Sequence, residues 1–173
     1  MSFSGFLSTQ IIWDNFNLNA QQVQADKQKY SLYEAAFQTL VLKEDAKTSI
    51  ELKNLPEPII LVNFWASWCL PCLKEFPSLV KFQEKYQGKV RVIGINGDEE
   101  NAEAEMKKVN KKYKLNFKSY LDPVSIIADQ FLVNTYPVSI VFYKGKVIYL
   151  SKKIHDFMAD DFIKLIDTHL KDN

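Results

Sequence analysis

A chain of 173 residues, 47% hydrophobic, 13% aromatic and 25% charged, has room for one globular domain with a substantial core and not for two comfortable ones. Its formal net charge of +1 supplies no basic surface to neutralise a row of phosphates, which argues against nucleic acid and an anionic membrane as partners. Two cysteines leave no room for a disulfide framework beyond one pair, and no apolar run approaches the roughly 18 residues of a membrane span.

Residues 1–30 are polar and rich in Gln and Asn, with one apolar knot at Ile11, Ile12, Trp13 and Phe16; they read as an arm or linker ahead of a domain over 31–173. The opening Met1–Leu7 lacks the basic start and the apolar stretch of about 7–15 residues that mark a secretory signal, so the chain as written is expected neither to insert in a membrane nor to direct its own export. Ser31-Leu32-Tyr33-Glu34 has capping-box spacing and predicts a short helical turn. Phe37–Leu42 and Ser49–Leu52, on either side of the charged 43–47, predict a β-hairpin. Pro56 and Pro58 then punctuate the entry to Ile59–Phe64, a continuous apolar run with the character of a buried parallel strand. Helical spacing follows over 73–82, with Pro77 expected to kink the axis.

Further on, Gly88 is placed to end that helix, and Val90–Asn96 reads as a second buried strand. Residues 101–114 predict a charged helix anchored by Ala104, Met106, Val109 and Tyr113. Phe117–Leu121 predicts a short strand, and Asp122-Pro123 the N-cap and first turn of a helix through Phe131. Val138–Tyr143 and Lys146–Leu150 flank Lys144-Gly145 as a tight hairpin, and a closing helix over 157–170 should bury Phe162, Ile163, Ile166 and Leu170. Two βα units, an antiparallel hairpin and a terminal helix give an α/β sandwich with helices on both faces of a mixed sheet.

The chemistry concentrates between the first buried strand and its helix, in Trp65-Ala66-Ser67-Trp68-Cys69-Leu70-Pro71-Cys72. Two cysteines at this spacing at a strand-to-helix junction form a redox arrangement. If Cys69 caps the helix, the free N–H groups and the positive end of the macrodipole favour its thiolate. A free cysteine with pKa about 8.5 is only about 3% ionised at pH 7, and lowering the pKa to about 7 makes it half ionised, a difference of about 2 kcal/mol. Cys69 is thus the expected nucleophile. Cys72, one turn further in, is the expected resolving thiol. The only cofactor this requires is the reversible Cys69–Cys72 disulfide itself.

The sixteen positions from Val62 to Pro77, Val-Asn-Phe-Trp-Ala-Ser-Trp-Cys-Leu-Pro-Cys-Leu-Lys-Glu-Phe-Pro, resemble the thioredoxin superfamily, and within it the TlpA and ResA type of thiol-disulfide oxidoreductase. The resemblance covers roughly 37–170. It implies a thioredoxin fold with an N-terminal hairpin and a helix-strand insertion near 97–131. It also implies protein clients that carry disulfides or thiols, an upstream electron donor, and a periplasmic location or one on the outer face of a bacterial inner membrane, as the removal of a signal or anchor would leave it. The residues themselves leave a cytoplasmic setting open. A monomer is expected.

Three further assignments combine residues with resemblance. Glu75, three positions after Cys72, shares its helix face and could accept the Cys72 proton if burial raised its pKa; the plain alternative is an acid attracted by the helix dipole, and the family motif favours the functional reading. Asn63 stands where many thioredoxins carry an aspartate and cannot shuttle a proton, which leaves that task to Glu75 or water. Pro137 could be an ordinary proline at the start of a strand. The resemblance makes it a cis proline against the cysteines, with its neighbour's backbone free to bind an extended client. Tyr136 before it is bulkier than usual, and with Trp68 it is expected to shape the client groove. Leu70 and Pro71 supply no donor to the sulfurs, which predicts a reducing pair.

Two competing readings use the same cysteines. A reduced pair could hold Cu(I) for delivery. A peroxidase would need Thr or Ser where Ala66 stands and an arginine in the pocket, yet Arg91, the one arginine, lies in a strand. His155 and His169 lack metal-site spacing and are expected at the surface, with no metal bound.

Overall fold

The structure is a computed structural model that describes residues 27–28, 30–43 and 48–171; the apolar knot at 11–16 and the hairpin turn at 44–47 lie outside them. A helix α1 covers residues 30–39 and leads into the small antiparallel pair β1 (Val41–Lys43) and β2 (Ser49–Glu51), followed by a short 3₁₀ turn at Leu52–Asn54. The remaining elements run β3 (Ile59–Trp65), α2 (Leu70–Lys85), β4 (Val90–Asn96), α3 (Ala102–Tyr113), β5 (Lys118–Leu121), α4 (Ile126–Gln130), β6 (Val138–Tyr143), β7 (Lys146–Ser151) and α5 (Asp160–Lys171).

The main sheet has the order β5-β4-β3-β6-β7, with β3, β4 and β5 parallel and β6 and β7 antiparallel additions. β3 sits in the middle and is buried along its whole length, because alternate side chains enter two different cores. Ile60, Val62 and Phe64 face α1, the small hairpin and α4. Ile59, Leu61 and Trp65 face α2, α3 and α5. Asn63 has the second parity and so points at α2. Helix α2 buries Cys72, Glu75, Phe76, Leu79 and Phe82, one stripe at helical spacing. Lys144 and Gly145 both take positive φ (49° and 80°), the two-residue turn whose twist suits a hairpin.

Five expectations need correction. Phe37 belongs to α1 rather than to a strand: Tyr33, Ala36, Phe37 and Leu40 are all buried at positions i, i+3, i+4 and i+7, a helical stripe. Ser31 lies inside that helix, its hydroxyl donating to the Gln28 carbonyl (2.6 Å), and does not cap it. Helix α4 begins at Ile126 rather than 123, yet Asp122 still satisfies its start by accepting from the backbone N–H groups of Ile127 (3.0 Å) and Ala128 (2.8 Å). On α3 Ala102 is the buried alanine and Ala104 is exposed. The two histidines are half-buried rather than superficial; His155 is ringed by Tyr149, Phe157 and Phe162, and His169 packs on Tyr143.

Candidate active site

The three parallel strands end at one edge of the sheet, where open α/β sheets place their sites. β3 delivers Trp65, whose carbonyl accepts from Gly97 N–H (2.9 Å) at the end of β4. The following loop is held by Asp98, a carboxylate only 2% exposed: Oδ1 accepts from Ser67 N–H (2.9 Å) and Ser67 Oγ–H (3.0 Å), and Oδ2 from Asn96 Nδ2 (2.9 Å). A turn closed by Cys69 N–H on the Ala66 carbonyl (3.1 Å) then sets Cys69 at the N-cap of α2. Its Sγ accepts from the Cys72 N–H at 3.3 Å, and Pro71 occupies the first turn, where no N–H is missed. Cys69 and Cys72 are joined as a disulfide with Cα atoms 5.3 Å apart. Both sulfurs are largely covered, Cys72 completely.

Behind the pair lies a buried polar group in an otherwise apolar layer. Glu75, 2% exposed, accepts from Asn63 Nδ2 (Oε1, 2.7 Å) and from the His155 backbone N–H (Oε2, 3.2 Å). Burial pushes its carboxyl up to about 7, against these two hydrogen bonds, which favour the charged form. Asn63 also donates to Ser139 Oγ (2.9 Å) on β6. The His155 imidazole is held below its ordinary value by burial, and its Nδ1 lies 3.0 Å from the Tyr149 hydroxyl.

The rim is aromatic. Trp68 is 70% exposed, and its ring meets that of Tyr136 edge-on at 5.8 Å between centroids. The Tyr136–Pro137 peptide bond is cis and Pro137 is buried. Tyr136 can lie here because position 97 is glycine: a Cβ on Gly97 would sit 2.0 Å from the Tyr136 hydroxyl oxygen. Burial raises the Tyr136 phenol, with further upward pressure from Asp122, Asp98 and Glu99.

A family model described as AhpC/TSA matches residues 17–150, more than half of the chain. The chain belongs to the AhpC/TSA family. Within the family, the thiol-disulfide oxidoreductase ResA of Bacillus cereus is 35% identical over 126 residues, 72% of this chain and 71% of that protein. Among solved structures, a secreted Mycobacterium tuberculosis disulfide oxidoreductase homologous to E. coli DsbE superposes with a TM-score of 0.63 at 19% identity, covering 78% of this chain and 98% of the other. StoA from Bacillus subtilis gives 0.59 at 22% identity, covering 74% and 93%. The fold is thioredoxin-like and the chain is a thiol-disulfide oxidoreductase whose partners are proteins with thiols or disulfides.

Within this family member the six residues singled out from sequence fall into two groups. Cys69, Cys72 and Glu75 line up on α2, and Trp68 meets Tyr136, next to Pro137, across 68 positions of sequence because β6 pairs with β3. Asp98, Gly97, Ser139 and His155 were missed. Asp98 and Gly97 carried a usable signal, since they end the strand next to β3; Ser139 follows Pro137 by two, the spacing of one sheet face. Nothing local marks His155, whose contribution is a backbone N–H. Arg91 pairs through Nε and Nη2 with Glu57 (2.9 and 2.6 Å) at the start of β4, the end of the strand away from Cys69, and Ala66 is buried beside the pair. Among the described residues no group of three or more His, Cys, Asp and Glu is placed to hold a metal ion, and no helix is long and apolar enough to cross a membrane.

Proposed function

We propose that the chain reduces disulfides in client proteins outside the cytoplasm, with Cys69 as nucleophile, Cys72 as resolving thiol and Glu75 as proton acceptor. The Cys69 thiolate attacks a client sulfur, the client disulfide breaks, and its other sulfur leaves with the electron pair and takes up a proton. Cys72 then loses its proton to Glu75 as its sulfur attacks Cys69 Sγ; the mixed disulfide breaks, the second client thiol is released and the Cys69–Cys72 disulfide closes. An upstream donor restores the dithiol. The client chain lies along the cis Pro137 edge, under Trp68 and Tyr136. By family analogy the clients are proteins under assembly, such as apocytochrome c or a copper-binding oxidase subunit.

The observation that carries this reading is the position of Glu75: a carboxyl buried one helical turn behind Cys72, poised by burial at about 7, is matched to accepting a thiol proton near neutral pH. Trapping tests it. With Cys72→Ser, the mixed disulfide with the client should accumulate at Cys69, whereas Cys69→Ser should trap nothing; trapping by the second variant alone would reverse the roles. The reducing direction is tested separately by equilibration with glutathione, where a potential above about −180 mV would contradict it.

A further inference from the structure

Asn63 is fully buried on β3 and uses both of its Nδ2 protons, one on Glu75 Oε1 (2.7 Å) and one on Ser139 Oγ (2.9 Å). Its Oδ1 is buried with no partner among the described residues. A primary amide has donors at one end and an acceptor at the other, and rotation by about 180° about Cβ–Cγ exchanges the two with almost no change of shape. The two groups facing the donor end suit both orientations. A carboxyl accepts when ionised and donates when protonated, and a hydroxyl does either. After rotation Oδ1 would accept from Glu75 Oε1–H and Ser139 Oγ–H at once. Rotation leaves two N–H donors rather than one carbonyl oxygen without partners at the far end, a cost that the proton on Glu75 has to offset.

We propose that Asn63 is a positioning residue for disulfide exchange: its amide presents Nδ2–H to the Glu75 carboxylate and Oδ1 to the Glu75 carboxylic acid, turning over as Cys72 delivers its proton to Oε1. This rests on the reading of Glu75 as proton acceptor. It gives a physical reason for an amide at position 63. An aspartate would set a second ionisable carboxyl against Glu75 and couple their titrations, and an apolar residue could hold neither form. Nearby titratable groups are Cys72 on Glu75's own helix, Tyr149 on β7, which Glu75 influences electrostatically, and His155, whose backbone N–H binds Oε2; Lys74, next in sequence, is exposed. Only Oε1 faces the amide, so Oε2 stays bonded to His155 N–H while Oε1 gains or loses its proton.

Side-chain NMR with ¹³C-glutamate and ¹⁵N-asparagine tests the proposal. Above the Glu75 midpoint the Asn63 Nδ2 protons should contact the Ser139 Cβ protons, and below it that contact should vanish. In Asn63→Leu both forms of Glu75 lose a partner, but the charge-assisted bond to the carboxylate is worth more than the neutral bond to the acid, so the Glu75 midpoint should rise by about one pH unit, a tenfold net loss of carboxylate stabilisation. A side chain that only fills space would leave the midpoint in place. A contact that persists at every pH, or a midpoint unmoved in Asn63→Leu, overturns the proposal; the contact in the unmodified protein decides it even if the variant fails to fold. Glu75→Gln, read by the pH dependence of client release, tests the proton-acceptor reading on its own. Its failure would leave the NMR result standing, and the reverse holds as well.

Discussion

Asp98 holds the loop in front of Cys69 with both carboxylate oxygens, and three donors lose their acceptor if it is removed. A buried donor left unpaired costs about 1–3 kcal/mol, and the Ser67 hydroxyl can turn away where its N–H cannot. Asp98→Ala should therefore destabilise the oxidised protein by about 2–3 kcal/mol, seen as a lower urea midpoint at unchanged slope, and should slow mixed-disulfide formation. Glu75 acts on stability in the opposite sense. Its carboxyl titrates at about 7 in the folded chain against its usual 4.5, so between these values the native state keeps a proton that the unfolded chain has released. The native state binds more protons, and stability falls as pH rises through that window. The penalty is absent below about 4.5 and fully in force above about 7, where it amounts to roughly 3 kcal/mol. Glu75→Gln, which cannot ionise, should gain stability relative to the unmodified chain between pH 5 and 8. Urea unfolding at the two ends of that range measures the change, and a gap that shrinks with pH would contradict it.

At the scale of elements, the junction of β3 and α2 shows why so much of the site could be read in advance. One contiguous run of residues supplies strand, loop, cap and the first two turns of the helix, so Cys69, Cys72 and Glu75 announce themselves together. What stayed hidden comes from other elements. The partners of this run lie 31 residues away for Asp98 and 80 for His155, and Ser139 lies 76 from Asn63, distances closed by the pairing of β4 and β6 with β3 and of β7 with β6. The end of β4 also controls the rim through Gly97. Adding one methyl there puts Cβ 2.0 Å from the Tyr136 hydroxyl oxygen and 2.6 Å from its Cζ, so the ring has to swing away from Trp68. Gly97→Ala should therefore lower kcat/KM for a folded client by about tenfold, roughly 1.4 kcal/mol, while turnover of a small disulfide such as hydroxyethyl disulfide changes little. Equal loss on both substrates would mean that the cysteines, not the groove, had been disturbed.

For the whole molecule the informative error is α1. Two segments either side of the charged 43–47 predict a hairpin that starts at Phe37, whereas the buried set Tyr33, Ala36, Phe37 and Leu40 has the period of a helix, and tertiary contact favours the pattern that covers the most apolar surface. That surface is the face of the sheet opposite the active-site helix: Ile60, Val62, Phe64, Ile93, Ile95, Ile140 and Phe142, covered by Tyr33, Phe37, Leu40, Leu42 and Leu52 together with Phe131 of the α4 region. Phe37 and Phe142 meet at 4.6 Å between centroids, so the helix is fastened to β6, an interior strand, rather than to the sheet's margin. A thioredoxin core stripped of residues up to 52 would expose this face to water, a contiguous apolar patch of the kind soluble proteins avoid. Phe37→Ala should accordingly cost about 3–4 kcal/mol, a core-sized loss from a residue that lies outside the main sheet and far from the cysteines in sequence. Because β6 also carries Ser139 and follows Pro137, loosening its Phe142 end should show first in hydrogen exchange of β6 and only afterwards in disulfide exchange. A Phe37→Ala protein with native stability would mean that α1 rides on the sheet without holding it.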